Sequence, residues 1–208
     1  MILSSDADFD FASNNFTIEL RVNFNSLATV QYLFSQYTPG VPYYGLSYNP
    51  LGAMYFEWTS DGSDSHYVIL PCAISASTWY HIALVRNGDY LLLFVDGTLA
   101  ATRSISGNIY MSPTLPIYIG GISNSQSLNG NMDEIRISNG IARWISNFVS
   151  ASSAYSLHSW QQVVTQGPAG ATGPSGARGT TGPAGATGPQ GPGATYDADY
   201  EAIIITVI

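Results

Sequence analysis

The sequence predicts an all-β sandwich head followed by a collagen triple-helix stalk and a short β-prone C-terminal segment. Three observations predict it. In the first two thirds of the chain, period-two apolar alternation and turn dipeptides recur at roughly the eight-to-twelve-residue spacing of a β-sandwich. From Gly167 to Gly191 glycine occupies every third position, a period that only the crowded axis of a collagen triple helix requires. The chain then runs into Ile203–Ile208, which is uncharged and rich in β-branched residues.

Taken in order, Phe16–Phe24 alternates apolar Phe16, Ile18, Leu20, Val22 and Phe24 with polar Thr17, Glu19, Arg21 and Asn23. This is the signature of a half-buried strand. Further strands are expected at 29–36, 43–48, 53–59 and 66–70, separated by the turn clusters TPG, NPLG and SDGSD. In WYHIALVRNGDYLLLFVDGTLAA, Asn87-Gly88 and Asp96-Gly97 are hairpin signals between apolar runs, so a three-stranded meander is expected. LPIYIGG and NMDEIRIS add two strands, and NGIARWISNF reads as one helical turn or an irregular cap. Roughly ten to twelve strands in two packed sheets result.

Three blocks in order, DFDFASNNFTIEL, WYHIALVRNGDYLLLFVDGTL and IYIGG with GNMDEIRISNGIARW, resemble the laminin G-like, concanavalin A-like jelly-roll superfamily in the form found in bacteriophage fibre and tail proteins. The resemblance covers about Ile2 to Phe148 and implies a jelly-roll head. Family members carry a further strand before the DFDF-like block, where this chain has only Met1 to Leu3. Ala154 to Val164 is a candidate replacement, as a closing strand or as subunit packing. The domain boundaries that follow are 1–150 for the head, 151–166 for a linker or closing strand, 167–193 for the stalk and 194–208 for a trimer clamp or anchor.

Charge narrows the choice of partners. Fourteen acidic against six basic residues, all six arginine, give a net charge of -8, which repels phosphate backbones and anionic lipid. Neutral sugars remain compatible. Cys72 is the only cysteine, reading as a small buried apolar residue. The first residues, MILSSDADFDF, show no basic and apolar signal pattern, and no apolar run approaches the roughly 18–20 residues of a membrane span. Neither nucleic-acid binding nor membrane insertion is expected, and assembly inside a cell as part of a larger particle is.

Tyr37, Tyr43, Tyr44, Tyr48, Tyr55 and Tyr67 crowd the first half of the head with Trp58. Exposed rings stack on sugar faces, so Tyr37, Tyr43, Tyr44, Tyr48 and Trp58 are candidate glycan contacts; the plainer reading places some in the core or between subunits. Asp61 and Asp64 lie in one flexible turn, and jelly rolls of the resembled superfamily hold calcium with loop aspartates. A structural calcium ion there is the functional reading and an ordinary Asp-Gly turn the plain one, since a full calcium ligand set is lacking. Asp89 and Asp96 read as hairpin residues.

Catalysis is not expected. Asp133-Glu134 is an adjacent acidic pair, yet neighbours on a strand point to opposite faces, whereas glycoside hydrolysis needs two carboxyl groups across one cleft. A structural role for Asp133 at a sheet end fits better. The Glu-x-Asp-x-Glu strand of the related glucanases is missing, and His66, His81 and His158 are widely spaced. The formal glycosylation sequon at Asn15 opens a strand and is set aside.

The stalk glycines are Gly167, Gly170, Gly173, Gly176, Gly179, Gly182, Gly185, Gly188 and Gly191. At roughly 3 Å per residue they define a rod of about 70 Å, formed only when three chains wind together. Proline takes only the second position of each triplet, which suits a bacterial or viral collagen. A rod this short needs help. Ile203, Ile204 and Ile205, in a run that is an aggregation hazard if exposed, are expected to close the trimer as a bundle of strands or to dock into a partner.

The expectation is therefore a homotrimeric virion fibre or appendage of the tail, neck or capsid, with heads attached to host-surface glycans by multivalent weak binding. Its partners would be two further copies, other virion proteins and a host glycan. The alternative is a purely structural decoration of capsid, neck or tail.

Overall fold

The computed structural model describes residues 1–5, 7–38, 41–122, 126–151 and 202–205. Twelve strands make up this part: β1 (Ile2–Leu3), β2 (Phe16–Phe24), β3 (Gln31–Thr38), β4 (Val41–Asn49), β5 (Ala53–Trp58), β6 (His66–Pro71), β7 (Trp79–Asn87), β8 (Tyr90–Val95), β9 (Thr98–Ser104), β10 (Ile117–Ile119), β11 (Gly130–Asn139) and β12 (Ala202–Ile205). They form two six-stranded sheets, in the orders β1-β10-β3-β4-β5-β6 and β12-β11-β2-β7-β8-β9. Every neighbouring pair is antiparallel. The stalk expected over 167–193, with its nine glycines, lies outside the described residues, as do Ala154 to Val164 and His158.

The core lies between the sheets. Phe16, Ile18, Leu20, Val22 and Phe24 on β2 meet Leu46, Met54 and Phe56 across it, as the alternation of β2 requires. Phe11 stacks on Phe16 at 4.5 Å and tilts against Tyr44 at 5.4 Å. Cys72 is buried at its edge, and burial pushes its thiol up to about 11, so it behaves as an inert apolar group.

The meander β7-β8-β9 forms as expected, with one turn shifted by a residue. The first loop is Gly88-Asp89 rather than Asn87-Gly88, with Gly88 at φ +58°. The second is Asp96-Gly97, both at positive φ, the conformation of a two-residue hairpin turn matched to strand twist. Gly97 is also fixed by close approach: a Cβ there would sit 2.0 Å from the Phe148 carbonyl oxygen.

That contact belongs to the segment after β11, which runs as an irregular cap over the outer face of the second sheet. Trp144 and Phe148 stack at 4.0 Å and, with Ala142, cover Ala83, Val85, Leu92 and Phe94. The cap corrects one expectation. The polar face of β2 was to meet solvent, but Thr17 and Glu19 are fully buried beneath it. The Thr17 hydroxyl donates to the Ile141 carbonyl and accepts from the Arg143 N–H. Glu19 accepts from Arg136 Nε at 2.6 Å and from Trp144 Nε1 at 3.3 Å, with His81 Nε2 at 3.1 Å. Burial works to raise the Glu19 carboxyl, and the His81 and Arg136 contacts outweigh it, leaving a net downward shift.

Candidate glycan-binding face

The second sheet wears its cap on the outside; the outer face of the first is buried over Tyr32, Ser35 and Ser47 and opens to solvent at its β6 edge, at Tyr67 and Ile69. β5 sets its chemistry. In AMYFEW, Met54, Phe56 and Trp58 point into the core, so the pleat turns Tyr55 and Glu57 outward. Register then assembles two cross-strand rows on that face. One is Tyr32, Ser47, Tyr55 and Ile69; the next is Ser35, Gly45, Glu57 and Tyr67.

Tyr55 and Tyr67 stack with centroids 6.3 Å apart and planes 13° from parallel. Tyr67 is 63% exposed and Tyr55 half-buried, so the pair meets solvent through the Tyr67 ring. Beside it Tyr32 lies flat over Gly45, whose absent Cβ would come within 3.0 Å of the ring. Glycine is needed here for close approach, not for an unusual φ. Lying flat, Tyr32 donates its hydroxyl to Glu57 Oε2 at 2.7 Å. Burial, then the bond to Glu57, pushes the Tyr32 phenol well above its usual range, which keeps it a donor and holds the carboxylate in one orientation. Chemically, this is an aromatic surface with a fixed acceptor at its margin, suited to the apolar face and hydroxyls of a sugar ring.

The aromatic residues singled out from the sequence separate. Tyr44, Tyr48 and Trp58 face inward, on the side of the sheet shared with Met54 and Phe56, and offer no ring face to a ligand. Tyr44 is fully buried and donates to the Phe9 carbonyl at 3.0 Å; Tyr48 packs on Phe24 at 5.3 Å. Trp58 stacks between Phe56 and His66. Tyr37 is half-buried near the end of β3, and the side chain of Tyr43 lies outside the described residues. Tyr55 and Tyr67, named in the tyrosine cluster but not among the candidate contacts, alternate with core Met54, Phe56 and Trp58 on β5 and with Val68 and Leu70 on β6.

In the 59–66 turn, Asp64 Oδ1 accepts from the Thr59 hydroxyl at 2.7 Å and the Ser60 N–H at 2.6 Å, while Oδ2 accepts from the Ser60 hydroxyl and lies 2.7 Å from His66 Nε2. Asp61 Oδ1 accepts from the N–H and hydroxyl of Ser63, both at 2.8 Å. These bonds, the Ser60 and Ser63 hydroxyls foremost, hold both carboxyls below their ordinary range. Such oxygens face donors of their own turn, and among the described residues no group of three or more His, Cys, Asp or Glu side chains is placed to hold a metal ion.

Asp133 Oδ1 accepts the Glu134 N–H, and Glu134 takes φ +52° in a bulge of β11. Asp96 caps the His81 N–H at 2.8 Å, a hairpin role.

With the two sheets, the cap and the Tyr55–Tyr67 margin in place, residues 2–143 match the family model described as the concanavalin A-like lectin/glucanases superfamily. The chain belongs to that superfamily. No curated protein matches it. Among solved structures, this superfamily member is similar to a candidate carbohydrate-binding protein from Bacteroides ovatus, with 20% identity and a TM-score of 0.52 over 69% of this chain and 42% of that one. It is also similar to the mouse laminin alpha1 chain, domains 4 and 5 of its G region, with 18% identity and a TM-score of 0.50 over 66% and 38%. Domain 4 of an extracellular arabinanase from Geobacillus stearothermophilus, solved with arabinotriose, gives 15% identity and 0.50 over 65% and 64%. The chain thus spans less than half of the first two proteins, and these likenesses carry the fold alone.

Proposed function

We propose that this chain is the glycan-attachment subunit of a homotrimeric virion fibre or appendage. The observation that carries the reading is the β5–β6 margin of the first sheet, where exposed Tyr67 stacks on half-buried Tyr55 beside the oriented Glu57. The glycine period from Gly167 to Gly191 supplies three copies on one rod. Single-site affinity on so shallow a face would be weak. Millimolar binding is worth about 4 kcal/mol, and linking three heads raises the effective concentration of the second and third contacts.

The Bacteroides ovatus protein is a candidate carbohydrate binder, and the arabinanase domain was solved with arabinotriose. They support the same ligand class here, because this face carries aromatic rings and a carboxylate rather than cationic groups. Hydrolysis is not part of the reading: Glu57 is engaged with a phenol, and a glycosidase requires a second carboxyl across the scissile bond. The test is an array of bacterial surface polysaccharides probed with intact trimers. Binding to at least one neutral polysaccharide class is expected, and a blank array with trimer mass confirmed would leave the purely structural decoration as the better account.

A further inference from the structure

The second sheet ends at β12, the C-terminal segment, which lies against β11. Ala202–Ile205 pairs antiparallel with β11, setting Ile205 opposite Ile135, Ile204 opposite Arg136, Ile203 opposite Ile137 and Ala202 opposite Ser138. Ile135 and Ile137 are core residues of the sandwich. The bulge between Asp133 and Arg136 limits the straight edge of β11 to the residues that follow it. The head therefore has an acceptor edge about four residues long, bounded on one side by the bulge, with two core isoleucines in register with two isoleucines of the added strand.

A wound stalk restricts whose strand can reach that edge. A triple helix wound over residues 167–191 would measure about 70 Å, while residues 152–166 and 192–201 drawn out fully would reach about 85 Å together. For a chain in a trimer to pair with its own head, both linkers would have to run almost straight back along the whole rod. The same holds for the two sister chains, which share the axis. A second trimer meets no such restriction.

We infer that the β11 edge is a strand-acceptor site whose occupant, in the trimeric protein, is the Ala202–Ile205 segment of another trimer. Three feet would enter three heads, a head-to-tail contact that propagates as a filament because it does not close on itself. It would also remove an unpaired edge and an exposed isoleucine run in one step. The inference rests on the trimeric stalk proposed above and on no property of the glycan-binding face.

Full-length protein in a Cys72→Ser background tests it. One pool carries Ser138→Cys and a second, differently tagged, carries Ala202→Cys; each is assembled separately, its trimer mass measured, and the two are mixed under mild oxidation. Register partners on antiparallel strands lie within disulfide reach. The expected result is a disulfide joining the two tags, with larger assemblies in the mixture. The doubly substituted chain forming only an intrachain bond, or intact trimers giving no bond between pools, would overturn the inference. Ile203→Asp with Ile205→Asp should abolish the larger assemblies at unchanged trimer mass. Loss of the trimer itself would place the segment in a threefold clamp and also overturn it. Pools sedimenting as single chains would refute the stalked trimer, a result read independently of the cross-link.

Discussion

At Glu19 a carboxylate sits wholly inside the second sheet, held by Arg136 and Trp144 and touching His81. Removing one member of a buried ionic set leaves the others uncompensated, so Glu19→Gln should cost about 2–4 kcal/mol in chemical denaturation. The pH dependence has a definite sign. Its folded-state value lies below the ordinary 4.5, so its stabilising contribution is complete above about pH 4.5 and is lost as pH falls through the lower folded value. Melting followed from pH 7 to pH 3 should show a decline beginning below 4.5, and the Glu19→Gln protein should show a shallower one. At Gly45 the expected effect is positional: Gly45→Ala must lift the Tyr32 ring by a few tenths of an ångström, which weakens the Tyr32–Glu57 bond while the core stays folded. A crystal structure with the 2.7 Å bond unchanged would contradict it.

At the scale of elements, the hairpins and the cap are one unit. Gly97 has both a positive φ and a backbone neighbour in the cap, whereas Gly88 has the positive φ and open space. Gly88→Ala should therefore cost about 1 kcal/mol of strain, and Gly97→Ala at least about 2, lowering Tm by roughly 4–8 °C. Equal shifts would mean that the cap does not brace the turn. Most strands were legible because their side chains alternate with solvent on one face and core on the other, as in AMYFEW; the meander was legible from its glycine turns. The burial of Thr17 and Glu19 was not, since a cap that arrives 120 residues later in the chain leaves no mark on the local pattern of β2. The binding face was half legible. Tyrosine count pointed to the right region, but only register decides that Tyr55 and Tyr67 are outside while Tyr44 and Tyr48 are inside. The pairing of Ala202–Ile205 with β11 shows the same limit, because β propensity announces a strand without naming its neighbour.

For the whole molecule the account joins a shallow face to a threefold rod. If the proposed triple helix forms, Gly179→Ala would put a side chain on its crowded axis, so analytical ultracentrifugation should show trimers dissociating at a lower temperature than those of the native sequence while the head's own melting is unchanged. The most direct measurement is retention of intact trimers on an immobilised polysaccharide identified by the array, compared with Tyr55→Ala/Tyr67→Ala trimers of equal mass and head stability. Truncating the Tyr55–Tyr67 stack should weaken each site roughly tenfold, and three linked sites together by far more, so the native protein should be held and the double variant should elute with the void. Equal retention of both proteins would place the binding elsewhere and contradict the account.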